Sequence, residues 1–272
     1  MSVLIEATVI VTGVAIAIGA LVGLRTIIPA GGAYTQIGRA GAIFGVLGTA
    51  FAVLLAFVIF LAFQSYARAQ AAAGQEAVAV TDLARSADLI GSPARPMLRG
   101  ELLCYARTVV ADEWPAMAAG RQSSTVEDWI DRFQGTIDGL QVATPKQAVA
   151  LSQWLAQASE RRQGRRERLS EATAQVPVEV WLVLLAGGAF VLATLLAFAD
   201  PAERLFLQCL LIGGTTVLVV GSLLLVRFLD HPFGRGAGSI RPTAMQLAIS
   251  QLERSSGQNA SLCDRVGRVS SG

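Results

Sequence analysis

Four stretches run for roughly 20 residues each without a charged side chain: Ala7 to Leu24, Gly41 to Phe63, Val180 to Ala199 and Leu205 to Val226. A hydrocarbon core about 30 Å thick takes an α-helix of about that length, because lipid tolerates no unpaired backbone polar group. Each stretch therefore predicts a membrane span. The first is read as a retained span and not a cleaved signal, since it lacks a basic leader and a small-residue cleavage site.

Only 15% of the residues are charged, against about a quarter in soluble domains, and the charges are unevenly placed. Residues 1–63 carry Glu6, Arg25 and Arg39 alone, whereas residues 64–178 carry thirteen basic and thirteen acidic side chains. The chain accordingly divides into a first transmembrane helix pair (1–63), a cytosolic helical domain (64–178), a second transmembrane helix pair (179–229) and a cytosolic C-terminal tail (230–272). Arginine is kept on the cytoplasmic side of a span. The short loops offer Arg25, Arg39 and Arg204; the other side offers Arg68, the run Arg161 to Arg168, Arg227, Arg235 and Arg241. That asymmetry places the insert and both termini in the cytoplasm.

The insert reads as helices throughout. The second span continues without a breaker past Tyr66, Ala69 and Ala73 toward Ile90, where Gly91, Pro93 and Pro96 stop it. A second helix covers Met97 to Glu113. Ser124 and Glu127 have capping-box spacing, and Val126, Ile130, Phe133, Ile137 and Leu140 form one apolar stripe behind them. Thr144 and Pro145 are an N-cap and first position for a helix ending before Pro177. A short helix from Arg241 to Arg254 follows the last span, and the final Ser, Gly and Asn-rich residues read as disordered. The expected fold is an all-α membrane protein with a helical bundle inserted between the second and third spans.

Gly38, Gly41, Gly45 and Gly48 recur at 3, 4, 3 and so share one helix face, which suits close packing of helices in lipid. Val53, Phe57, Phe60 and Gln64 fall on a stripe turned well away from the glycines, with Arg68 one turn beyond. That stripe either lines a pore, with Phe57 and Phe60 as a constriction that gates by dewetting and Gln64 and Arg68 at its cytoplasmic mouth, or meets lipid tails. Arg161, Arg162, Arg165, Arg166 and Arg168 attract anionic headgroups or anions, or else form a solvated face balanced by Glu160, Glu167 and Glu171. Asp230, His231, Pro232, Phe233 and Gly234 mark a helix stop with a hydrophobic plug, or a site where Asp230 meets a cation or caps another helix.

Enzyme classes fare poorly. His231 is the sole imidazole, no nucleophile and base can be paired, and no phosphate loop is present. Cys104, Cys209 and Cys263 lack metal-site spacing and define no disulfide framework, so neither metal nor cofactor is expected. No carboxylate, Lys or His lies inside a span to serve as a proton relay. Without aromatic residues among the arginines, nucleic acid is not an expected partner.

Several segments together resemble the bestrophin-like domain family of bacterial membrane proteins. They are the second span with Gly41, Gly45, Gly48 and Phe57, then Tyr66 and Ala69; Tyr105 to Trp114 and Pro115; the paired arginines 161, 162, 165 and 166 followed by Pro177 and Trp181; and Leu229 to Gly234. The resemblance implies the properties of bestrophins: a pentamer with four spans per subunit, anion conduction and an aromatic neck on the second span. It also implies the bilayer, small ions and further copies of the chain as partners. The sequence departs where animal bestrophins carry an acidic calcium clasp: Arg235, Gly236, Ala237 and Gly238 follow Gly234, so calcium gating of that kind is not expected. The proline-marked neck motif is absent too. A membrane-anchored interaction or sensory protein, whose helical domain binds a partner or anionic lipid, is the alternative function.

Overall fold

In the computed structural model, residues 3–27, 37–198, 203–234, 236–256 and 262–269 are described. Among them the secondary structure is helical apart from one antiparallel bridge between Cys263 and Val269. The helices are α1 (Val3–Arg25), α2 (Ile37–Ile90), α3 (Ala94–Thr108), α4 (Trp114–Met117), α5 (Ser124–Asp138), α6 (Pro145–Ser170), α7 (Val178–Ala197), α8 (Leu205–Leu229) and α9 (Thr243–Ser256). A π-helical turn, Val109–Glu113, joins α3 to α4. Four of these helices, α1, α2, α7 and α8, are long and apolar enough to cross a membrane.

The chain forms two compact units. The first contains Met1–Ser65, Ala174–Asp230 and Arg235–Gly238, and the second contains Tyr66–Thr173, His231–Gly234 and Ser239–Gly272. The segment expected as a separate tail is thus divided, and residues from Ser239 onward belong to the second unit.

In the first unit, α1 packs along α8 with Ala17, Leu21 and Ile212 buried between them. Gly213 admits Val14, while a Cβ on Gly13 would rest 3.5 Å from Val220. The first part of α2 packs on α7 through Phe51, Leu55 and Val58, where the Phe51 ring occupies the space beside Gly187. A buried amide in α8, Gln208, is satisfied from both sides: Arg25 donates to its Oε1 at 2.9 Å, and its Nε2 donates to Glu203 at 3.2 Å. An unmatched amide there would cost a few kcal/mol, which is why the arginine at the end of α1 sits opposite it.

The second unit has a large aromatic and aliphatic core. Leu83, Ile90, Leu98, Leu102, Tyr105, Trp129, Phe133 and Trp154 are all essentially inaccessible. α6 begins as its sequence requires, with Thr144 and Gln147 forming a reciprocal capping box and Pro145 in the first turn. The box expected at Ser124 does not form. Ser123 is the N-cap of α5, its hydroxyl is bonded to Asp112, and Glu127 is engaged by Arg165. Two charged groups offered better partners than a helix end.

Helices α2 and α6 touch backbone to backbone at Gly164. A Cβ there would lie 2.9 Å from the Glu76 nitrogen and 3.1 Å from the Ala72 carbonyl oxygen. Gly164→Ala is therefore expected to destabilise the second unit by about 1–3 kcal/mol through overpacking. Gly74→Ala, at a helical glycine with nothing within 4 Å, should instead gain up to about 1 kcal/mol from helix propensity. Thermal unfolding of the two purified variants should shift in opposite directions, and a shift of the same sign would refute the close approach.

Candidate conduction helix and the buried arginine network

Along the first part of α2 three faces differ in surroundings. Leu55, Val58 and Ala62 are buried against the chain's own helices. Val53, Phe57 and Phe60 are 65%, 58% and 54% exposed, and Gln64 is exposed as well. The predicted stripe therefore exists as a face that no described part of the protomer covers. Arg68, farther along the helix, holds Glu171 at 2.8 Å between Nε and the carboxylate. The glycine face is equally open: a Cβ on Gly41, Gly45 or Gly48 would meet nothing within 4 Å. The close packing of α2 within the protomer uses Phe51, Leu55 and Val58 against α7, whose Gly187 and Gly188 supply the small residues. The surroundings of Gly38 lie outside the described residues.

The arginine cluster divides sharply. Arg162 and Arg166 are exposed, whereas Arg161, Arg165 and Arg168 are buried in the second unit. Arg168 donates from Nε to Glu76 and from Nη2 to Glu113, both at 2.6 Å, and all three side chains are fully inaccessible. Arg165 bridges Glu113 and Glu127 at 2.6 Å each. Tyr105 donates its hydroxyl hydrogen to Glu76 at 2.6 Å and accepts from Arg161 at 3.1 Å. The Arg161 guanidinium lies against the Tyr105 and Phe133 rings, 5.0 and 5.1 Å from their centroids.

These environments fix the charge states. Burial, reinforced by the Glu76 carboxylate, pushes the Tyr105 hydroxyl far above the usual phenol range, so it stays a donor. Burial works against the charged forms of Arg165 and Arg168, but the neighbouring carboxylates outweigh it and hold both above the ordinary arginine value. For Arg165 the main partner is Glu113, and for Arg168 it is Glu76. The network is an electrostatic core joining α2, α6 and the π-turn, on which Glu113 is the last residue.

The stretch after α8 is a stop and a plug. Asp230 Oδ1 accepts from the backbone N–H groups of Gln175 and Val176 at 2.7 and 2.9 Å, tying down the approach to α7. The Pro232 carbonyl accepts from Ile240, and the Gly234 N–H returns to His231. Phe233 is buried edge-on against Trp114, with ring centroids 5.4 Å apart. Trp114 in turn donates to the Ile240 carbonyl and carries Arg168 over its face. No group of three or more metal-binding side chains occurs among the described residues.

One bond escaped sequence reasoning. Cys104 and Cys263, 159 residues apart, form a buried disulfide. It fastens a C-terminal segment that is further held by Trp129 and Thr108, which both donate to the Gly267 carbonyl, and by Arg107 on the Asp264 carbonyl. Residues 262–269 are therefore fastened at the buried Cys263 and Gly267, where the composition suggested disorder.

Comparison with known proteins agrees with this architecture. Residues 11–245 match the family model of the bestrophin-like domain. No curated protein matches the sequence. Among solved structures, a bacterial bestrophin homologue from Klebsiella pneumoniae superposes with a TM-score of 0.68 at 18% identity, covering 92% of this chain and 97% of that one. A point variant of a bestrophin homologue from that organism gives a TM-score of 0.71 at 17% identity, with coverages of 92% and 99%. The shared fold and the extent of the family match lead to one assignment: the chain belongs to the bestrophin-like family.

Proposed function

We propose that this protein is a homo-oligomeric ion channel with no enzymatic role, whose subunits surround an axial path lined by α2. The observation that carries the reading is the pair of uncovered faces on one helix. The glycine face offers flat backbone to a neighbouring copy, and the face with Val53, Phe57, Phe60 and Gln64 turns elsewhere. A helix in a closed ring needs both. A pentamer, anion selectivity and a cytosolic second unit follow from the family analogy, as does residence in the bacterial inner membrane with both termini cytoplasmic. In that reading residues 64–178, inserted in sequence between the two helix pairs, form the cytosolic bundle.

Phe57 and Phe60 would form the constriction, where bulky apolar rings exclude water and so exclude ions. Phe57→Ala, reconstituted into vesicles, should raise ion flux roughly tenfold, the effect of lowering a barrier by about 1.4 kcal/mol. Unchanged flux with intact assembly would remove Phe57 from the path. Imaging single particles of the assembled protein tests the same assignment, since rings turned to lipid would overturn it.

A further inference from the structure

A cleft of about 490 Å³ opens between α5 and α6 in the second unit. Ile130 and Leu169 give it an apolar side, and four arginines, Arg161, Arg162, Arg165 and Arg166, with one carboxylate, Glu127, contribute to the rest. The charges in this wall do not balance. Arg165 is matched by Glu113 and Glu127. Arg162 and Arg166 are exposed, and no carboxylate lies within ion-pair distance of either among the described residues. Their one-turn spacing sets two like charges side by side on the helix, which is itself unfavourable.

Arg161 adds an independent sign. It is 1% exposed, its Nε has no hydrogen-bond partner, and it forms no ion pair among the described residues. Its one bonded neighbour is the neutral Tyr105 hydroxyl. The Glu76 carboxylate reaches it only through the Tyr105 hydroxyl, so its charge is incompletely compensated, and a buried guanidinium in that state is costly even beside two aromatic rings.

We infer that this cleft binds a phosphate-bearing ligand with an apolar substituent, the phosphate held by Arg162 and Arg166 beside Arg161 and the substituent against Ile130 and Leu169. Guanidinium forks match phosphate oxygens in pairs, and one dianion would offset the two exposed cations together. The phosphate could belong to a soluble metabolite or to a lipid headgroup. The site is separate from the α2 stripe, so it stands whether or not the protein conducts.

The test uses the full chain in phosphatidylcholine nanodiscs and phenyl phosphate as the probe, followed by calorimetry at fixed ionic strength. Saturable binding is expected, weakened about tenfold or more in Arg162→Gln/Arg166→Gln, a pair of surface changes that leaves the core untouched. No saturable binding, or equal binding by the double variant, would overturn the inference. Discs containing phosphatidic acid identify the source: competition with phenyl phosphate in the wild type supports a headgroup as the ligand, and undiminished phenyl phosphate binding supports a soluble phosphate.

Discussion

Arg168→Met should loosen the second unit by about 3–5 kcal/mol, the usual cost of removing one member of a buried ion pair. The substitution keeps an unbranched side chain but leaves Glu76 and Glu113, both fully inaccessible, without the guanidinium that sat 2.6 Å from each. Glu113 would retain Arg165, and Glu76 would retain the Tyr105 hydroxyl, so the loss falls short of two bare charges. Against a typical folding stability of about 5–15 kcal/mol this is a large fraction. A chain with apolar spans need not unfold in one step, so the quantity to measure is amide hydrogen exchange in α6 and in α2 after Tyr66. Exchange there should accelerate about a hundredfold to a few thousandfold. Arg162→Met, at an exposed position in the same cluster, should change it by no more than about 0.5 kcal/mol. Equal effects from the two variants would mean that the buried network contributes nothing particular.

Removing the Cys104–Cys263 bond is expected to be nearly as costly for the segment it holds. A crosslink between residues so distant in sequence restricts the unfolded chain strongly, and losing one typically costs about 2–5 kcal/mol. Three hydrogen bonds, from Trp129, Thr108 and Arg107, would remain to retain residues 262–269. Reduction of the purified protein, or Cys104→Ser/Cys263→Ser, should therefore speed exchange in that segment and leave α7 and α8 unchanged. Exchange that stays the same after reduction would show the hydrogen bonds to be sufficient. Because such bonds persist in oxidising compartments and not in a reducing cytoplasm, alkylation of the two cysteines in intact cells also tests the proposed orientation.

The spans, the run of α2 to Ile90 and the start of α6 were legible in the sequence because each rests on local rules: apolar length, absence of a breaker, and a cap. The interior arginines were not. Glu76 and Glu113 lie 92 and 55 residues from Arg168, and no local pattern announces a partner at that range. A signal was nevertheless present. The buried row of α6 runs Ala150, Trp154, Ala158, Arg161, Arg165, Arg168, at helical spacing throughout, so the arginines continue an apolar stripe. Reading them as a solvated face weighed charge above position. Gly41, Gly45 and Gly48 posed the opposite problem: small residues at helix spacing suit a close contact, yet no described atom of the protomer lies within 4 Å of a Cβ built on any of them.

The disulfide also changes what the polypeptide is as a covalent object. Cys104 and Cys263 close a ring that contains α4, α5, α6, α7, α8 and α9, so both helices of the second apolar pair lie inside a single macrocycle. A protease cutting once anywhere between the two cysteines would not divide the molecule. The halves would migrate together without reductant and separate only after its addition, which makes the loop between α7 and α8 a place where the chain can be nicked and still remain one piece.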